Sequence, residues 1–293
     1  MEIVIRKFST FTIPELTRLW NEGFTGYFFN MDMNEDTFIQ RAADLQLSLE
    51  LSIAACINGR PVGFVMNGVR MMNGRLTGWN GGTGIIPEYR NKGIGRQLIG
   101  ASQHIYKEQG AVTALLEAVL ENDPAIALYE KLGYSIIDRL TYYEQQQSQV
   151  LSFSKQVSKK YHLTHGISHD LQCVEFKDVQ VPWRSHWASI KDGESYIAWD
   201  EKGRAVGYAL YKRSFNEQGV HYMTTLKQCM AIAGNEDEED IIRYLLSEVY
   251  GSPDQVLIRK TVHMMHSQPI LIRSLEQMGF VPSSNLVHMR CDL

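Results

Sequence analysis

Residues 85–96, IIPEYRNKGIGR, set three cations and two glycines between an apolar strand-like run and a helical pattern. Gly93 and Gly95 let the backbone curl so that successive N–H groups point inward. The helix that follows offers its positive end, and Arg90, Lys92 and Arg96 add whole charges. With Asn91 and Ile94 completing the turn, this is chemistry suited to a pyrophosphate. A second stretch, GFTGYFFNMDM (23–33), gathers Phe24, Tyr27, Phe28 and Phe29 around a single acid, Asp32. Such a set can wall a pocket for a cationic amine with Asp32 as its counter-charge. It can equally pack between two helices and against a second domain, and packing is the reading favoured here. A third group, His162, His165, His169 and Cys173, matches no zinc spacing, and no metal is expected.

These residues need elements to hold them. EIVIRKF (2–8) alternates as a strand, and Pro14 suits the start of a helix bearing Leu16, Leu19 and Trp20. Asn34 is a candidate N-cap for a second helix. Residues 48–70 read as two strands joined at Asn58-Gly59, and 75–86 as a third. A helix from Gly95 is stopped by Gly110, a strand covers 111–120, and a short helix opens at Asp123-Pro124 and closes at Gly133. One or two strands then cover 134–145, before the Gln/Ser/Lys-rich linker of 145–160.

The second half repeats this order in weakened form. PILIRSLEQMGF (269–280) follows the pattern of PAIALYEKLGY (124–134), which predicts two copies of one domain, 1–147 and 148–293.

The string I-x-P-x-x-R-x-x-G-x-G resembles the coenzyme-A signature of the GCN5-related N-acetyltransferases, the GNAT superfamily, with Arg90, Gly93 and Gly95 on its fixed positions. ENDPAIALYEKLGY (121–134) resembles the same family's N-x-x-A-x-x-x-Y-x-K-x-G-F/Y block. The resemblance implies an α/β fold of the α+β kind, a mixed and mostly antiparallel sheet flanked by helices, here in two tandem copies. It implies acetyl-CoA as co-substrate, with the backbone of Ile85 and Ile86 polarising the thioester and Asn122 meeting the pantetheine. Tyr129 would protonate the departing thiolate, and Glu117, five residues before Asn122, is the candidate base beside a purely structural reading. The acceptor implied is an amine, of a small molecule in preference to a peptide N-terminus.

The second copy departs from this pattern. At a constant offset Tyr129 becomes Leu275, Asn122 becomes Gln268 and Glu117 becomes His263. The acids 236–240 stand where the phosphate turn would be; they would repel phosphate and suit a helix start instead. The second domain is therefore expected not to bind coenzyme A, and to close the cleft, stabilise the first domain or mediate homodimerisation. A non-catalytic acyl-CoA sensor is the rival reading.

Bulk composition sets the outer limits. A net charge of −4, with no basic excess in either half, argues against nucleic acid as a partner. No uncharged apolar run is long enough to span a bilayer. MEIVIRKFSTF lacks a signal-peptide core, and four scattered cysteines suit a reducing compartment. The expectation is a cytoplasmic protein without a membrane partner.

Overall fold

The computed structural model describes residues 2–145, 157–174, 179–251 and 258–293. It divides into two units: residues up to Ile137 together with Val287–Leu293, and Asp138–Leu286. The division falls ten residues before the expected boundary, and a segment distant in sequence returns to the first unit. Most of the proposed linker lies outside the described residues.

In the first unit the order is β1 (Val4–Lys7), α1 (Ile13–Gly23), α2 (Glu35–Asp44), β2 (Ser48–Ile57), β3 (Arg60–Met72) and β4 (Arg75–Ile85). Then come α3 (Ile94–Glu108), β5 (Thr113–Val119), α4 (Asp123–Lys131) and the start of β6 (Ser135–Gln145). Local signals account for most of the boundaries. Thr12 and Glu15 form a reciprocal capping box at α1, and the Asn34 side chain accepts the Thr37 N–H at α2. Asn58 and Gly59 take φ of 50° and 79°, the left-handed pair a tight hairpin needs.

The strands of this unit lie in the order β1-β2-β3-β4-β5-β13, where β13 (Phe280–Asp292) contributes its final part. Leu293 donates its N–H to Val112 O at 3.1 Å, while His288 lies beside Glu117, so the two strands run antiparallel. Val287, Met289 and Cys291 thereby enter the core formed by Ile94, Leu98, Ile99, Leu116 and Tyr134. The opposite face of the sheet carries an aromatic core of Phe8, Trp20, Phe24 and Phe64.

The second unit contains the rest of β6, β7 (His162–Ile167), β8 (Glu194–Trp199), β9 (Ala205–Phe215), β10 (His221–Ala231), α5 (Glu238–Tyr250), β11 (Ile258–Thr261), β12 (Met264–Met265) and α6 (Pro269–Gln277). Its main sheet runs β6-β11-β10-β9-β8-β7 over a core centred on Ile241, Leu245, Leu271 and Leu275. The acidic run begins α5, with Asp237 as N-cap and Glu238, Glu239 and Asp240 in the first turn, where carboxylates complement the helix dipole.

His165 pairs with Glu194 at 2.9 Å, and His169 stands edge-on to Trp187. Among the described residues no group of three or more His, Cys, Asp or Glu is arranged to hold a metal. None of their helices is long and apolar enough to cross a membrane.

Candidate active site

The site is built on a defect in the sheet of the first unit. Strands β4 and β5 pair in parallel from Thr77–Thr113 to Asn80–Leu116. There β4 bulges: Met66 faces Gly82 while Asn67 faces Asn80, which leaves Gly81 as the extra residue. A bulge bends its strand and ends the ladder, so β4 and β5 splay apart. The guanidinium of Arg41, from α2, holds the bulge by donating to Gly81 O at 2.8 Å.

Two candidate groups flank this splay from opposite faces. Asn80 pairs with Leu116, whose side chain lies in the core beneath α3 and α4. Tyr129 of α4 reaches the same face, where its hydroxyl hydrogen-bonds to the side chains of Asn80 and Thr83. Burial raises the phenol pKa to about 12, against the opposing effect of the Thr83 bond. Tyr129 is therefore protonated at any working pH and can act as an acid. Glu117 is the first residue of β5 beyond the pairing, and strand alternation turns it to the other face. There its Oε2 accepts the Trp79 indole N–H at 2.9 Å.

Two further residues lie near Glu117. Arg70 of β3 is attracted by its charge, although burial lowers the guanidinium pKa to about 9. His288 of β13 is fully buried, with Nε2 4.0 Å from Glu117 Oε1. Burial depresses that imidazole to about 3, so the ring is neutral in the folded protein.

The phosphate turn lies where β4 leads into α3. Gly93 caps α3 with φ 81°, and having no side chain it leaves the first turn without a side-chain cap. Asn91 is also left-handed, at φ 60°. Lys92 and Arg96 are exposed beside the turn.

The connection after α1 closes over the same end of the sheet. Trp20 donates its indole N–H to Met31 O at 2.7 Å, and Asn21 bonds Met33 through both its side-chain groups. Tyr27 hydrogen-bonds to Asn122, which brings that hydroxyl within electrostatic reach of Tyr129.

Residues 13–134 match the acetyltransferase (GNAT) family. The first unit is a GNAT acetyltransferase domain. The chain is 35% identical over 95 residues to N-alpha-acetyltransferase 30 of Schizosaccharomyces pombe, which covers 32% of this chain and 63% of that protein. It is 38% identical over 55 residues to the mycothiol acetyltransferase of Corynebacterium aurimucosum, covering 19% and 18%. The chain thus spans less than two thirds of these relatives' lengths. A GCN5-related N-acetyltransferase from Sphaerobacter thermophilus shares the fold over 99% of this chain and 95% of its own, with TM-score 0.64 and 13% identity. A tandem GNAT protein from the clavulanic acid biosynthesis pathway does so over 99% and 98%, with TM-score 0.59 and 14% identity. The fold is accordingly GNAT in two tandem copies.

Acetyl-CoA is the co-substrate of this family, and the GNAT domain's turn has the chemistry to fit its phosphates. The uncapped N–H groups at Gly93 to Arg96, with Lys92 and Arg96 beside them, form a donor set for anions. Several of these residues also have structural partners. Gly95 has ordinary helical φ; it is small because an added Cβ would lie 2.9 Å from Leu128 of α4. The Ile94 side chain is buried in the core, leaving only its backbone for a ligand. Arg90 commits its guanidinium to three carbonyls, Ile85 O at 2.9 Å, Gly23 O at 3.1 Å and Thr25 O at 2.7 Å. It clamps the end of α1 to the end of β4. Arg90→Met should therefore lower the melting temperature and leave acetyl-CoA affinity within about threefold; a calorimetric loss beyond about tenfold would make Arg90 a phosphate ligand instead.

Of the two backbone donors expected at the thioester, Ile86 is spent on Val62 O at 3.0 Å. Strand alternation points the Ile85 N–H the other way, into the splay. Asn122 bonds Tyr27 in this structure. The aromatic connection divides between the two readings: Phe24 is buried against Trp20 and Phe64, while Phe28 and Phe29 are exposed. Asp32 is exposed, and among the described residues its carboxylate makes no recorded bond.

Sequence reading did not find Asn80, Thr83, Trp79, Arg70 or His288. The first four lie on strands whose bulge and face are set by tertiary pairing. For His288 a signal existed: the spacing that carries Glu117 to His263 also carries Tyr142 to His288.

Proposed function

We propose that the chain transfers the acetyl group of acetyl-CoA to a primary amine by direct attack. The observation that carries this reading is the Tyr129 hydroxyl, protonated and bonded to Asn80 and Thr83 at the splay, beside a turn suited to phosphate. In the reaction, Glu117 on the acceptor face takes the proton of the incoming ammonium. The amine nitrogen bonds to the acyl carbon, the carbon–sulfur bond breaks, and Tyr129 on the opposite face protonates the sulfur. The Ile85 N–H stands ready for the acyl oxygen as it gains charge. Each turnover passes one proton, by way of Glu117, to water. The nitrogen sheds its second proton to solvent as the amide forms and Tyr129 recovers its own from there, so one proton is released for each acetyl group transferred.

A small-molecule amine is the acceptor class supported by the tyrosine- and phenylalanine-lined connection at 24–29 and by the mycothiol acetyltransferase relatives. A peptide α-amine is the second reading, favoured by the N-alpha-acetyltransferase relative. We assign coenzyme-A binding to the first unit alone, since the corresponding turn of the second is acidic. Incubation with acetyl-CoA and pooled polyamines, aminoglycosides, amino acids and short peptides, read by mass spectrometry, should yield an acetylated small amine. Acetylated peptides alone would move the acceptor to the second reading. Acetyl-CoA binding without product from any pool would favour a sensor.

A further inference from the structure

We propose that His288 is a positioning residue for Glu117, its Nε2–H dipole holding the carboxylate ionised and aimed on the acceptor face. This rests on the reading of Glu117 as the base. The ring is fully buried, and neither nitrogen has a hydrogen-bond partner among the described residues. At 4.0 Å the Nε2–Oε1 contact is longer than a hydrogen bond, so it acts as a dipole facing a charge. A neighbouring carboxylate favours the tautomer with the proton on Nε2. Because burial keeps the imidazole neutral, it supplies this dipole at every working pH.

The internal repeat shows that the position is a matched one. His263 and Tyr142 occupy in the second unit the places of Glu117 and His288 in the first. There the pair is closed: Tyr142 OH lies 2.8 Å from His263 Nε2, and Ser185 Oγ lies 3.1 Å from Nδ1. In the unit that carries Tyr129 the same pair holds a carboxylate, and its histidine is left without such bonds. A residue kept only for packing at a fully buried position would more economically be apolar, since an unbonded imidazole is costly to bury. The charged and titratable groups placed near Glu117 include Arg70 from β3 and His288 from β13, beside the neutral Trp79 from β4. Of Arg70 and His288, it is His288 whose side chain can be exchanged without altering the net charge around the carboxylate.

The test is the titration of Glu117 itself, followed by carbon-13 NMR of protein labelled at glutamate Cδ, with Glu117→Gln assigning the resonance. In His288→Leu the Glu117 midpoint should rise by about one unit, a tenfold loss of acidity. His288→Gln, which retains an N–H donor, should stay near the native value. A midpoint unmoved in His288→Leu, with native melting, overturns the proposal; if that variant melts early, His288→Met gives the same reading. The rate of acetyl transfer to the amine found in the pooled screen separates the two levels. Glu117→Gln turning over at the native rate would refute Glu117 as the base, whatever the titration shows.

Discussion

Tyr129→Phe is expected to lose about 10²- to 10⁴-fold of turnover, the range a positioned proton donor supplies, while acetyl-CoA still binds within about threefold. The substitution removes one oxygen and keeps the ring, which packs edge-on to Tyr134 with centroids 6.0 Å apart. The fold around α4 should therefore survive. What disappears is the hydroxyl bonded to Asn80 and Thr83. Since that hydroxyl titrates only near pH 12, native activity should show no basic limb below about pH 10 from this group. Pre-steady-state mixing with acetyl-CoA and the acceptor separates binding from chemistry. Equal loss of both would mark Tyr129 as structural.

A chain stopped after Leu286 should lose the first unit. Val287 and Met289 are completely buried in that unit's core and Cys291 nearly so. Each such side chain is worth about 1.5–3 kcal/mol, and three of them approach the whole ~5–15 kcal/mol that stabilises a domain. Removing β13's final part also exposes the edge of β5. Acetyl-CoA binding should vanish, although every residue of the phosphate turn and Tyr129 remain present. A truncated protein that binds acetyl-CoA with native affinity and melts cooperatively at the native temperature would show that β13 is dispensable there. Cutting at the expected boundary near 147 would separate Val287–Leu293 from the unit they complete.

The local grammar of the chain made much of this legible. The helix start at Pro14, the Asn34 cap and the Asn58-Gly59 turn are written in residues whose backbone preferences act over a few positions. The motifs placed Tyr129 and Glu117 on the right elements. Strand pairing was not legible, because it is settled by partners far away in sequence. The bulge at Gly81 marks where β4 and β5 part, and alternation along β5 turns Glu117 to the face opposite Tyr129. Arg90 looked like a phosphate ligand because its charge is visible in sequence, whereas the three carbonyls it binds are not. For the same reason Ile86 could not be told from Ile85: only the pairing with Val62 shows which N–H is already taken.

The route of β13 also sets a timetable. The residues of the phosphate turn and Tyr129 are synthesised early, yet their core lacks Val287, Met289 and Cys291 until Leu293 has left the ribosome. At about 5–20 residues per second, the nascent first unit waits several seconds or more with an unfilled sheet edge. During that interval the outer edge of β5 lacks its native partner β13 and is open to chaperones or to a neighbouring nascent chain. The core of the first unit is thus completed late, after the second unit's residues have been made, rather than domain by domain.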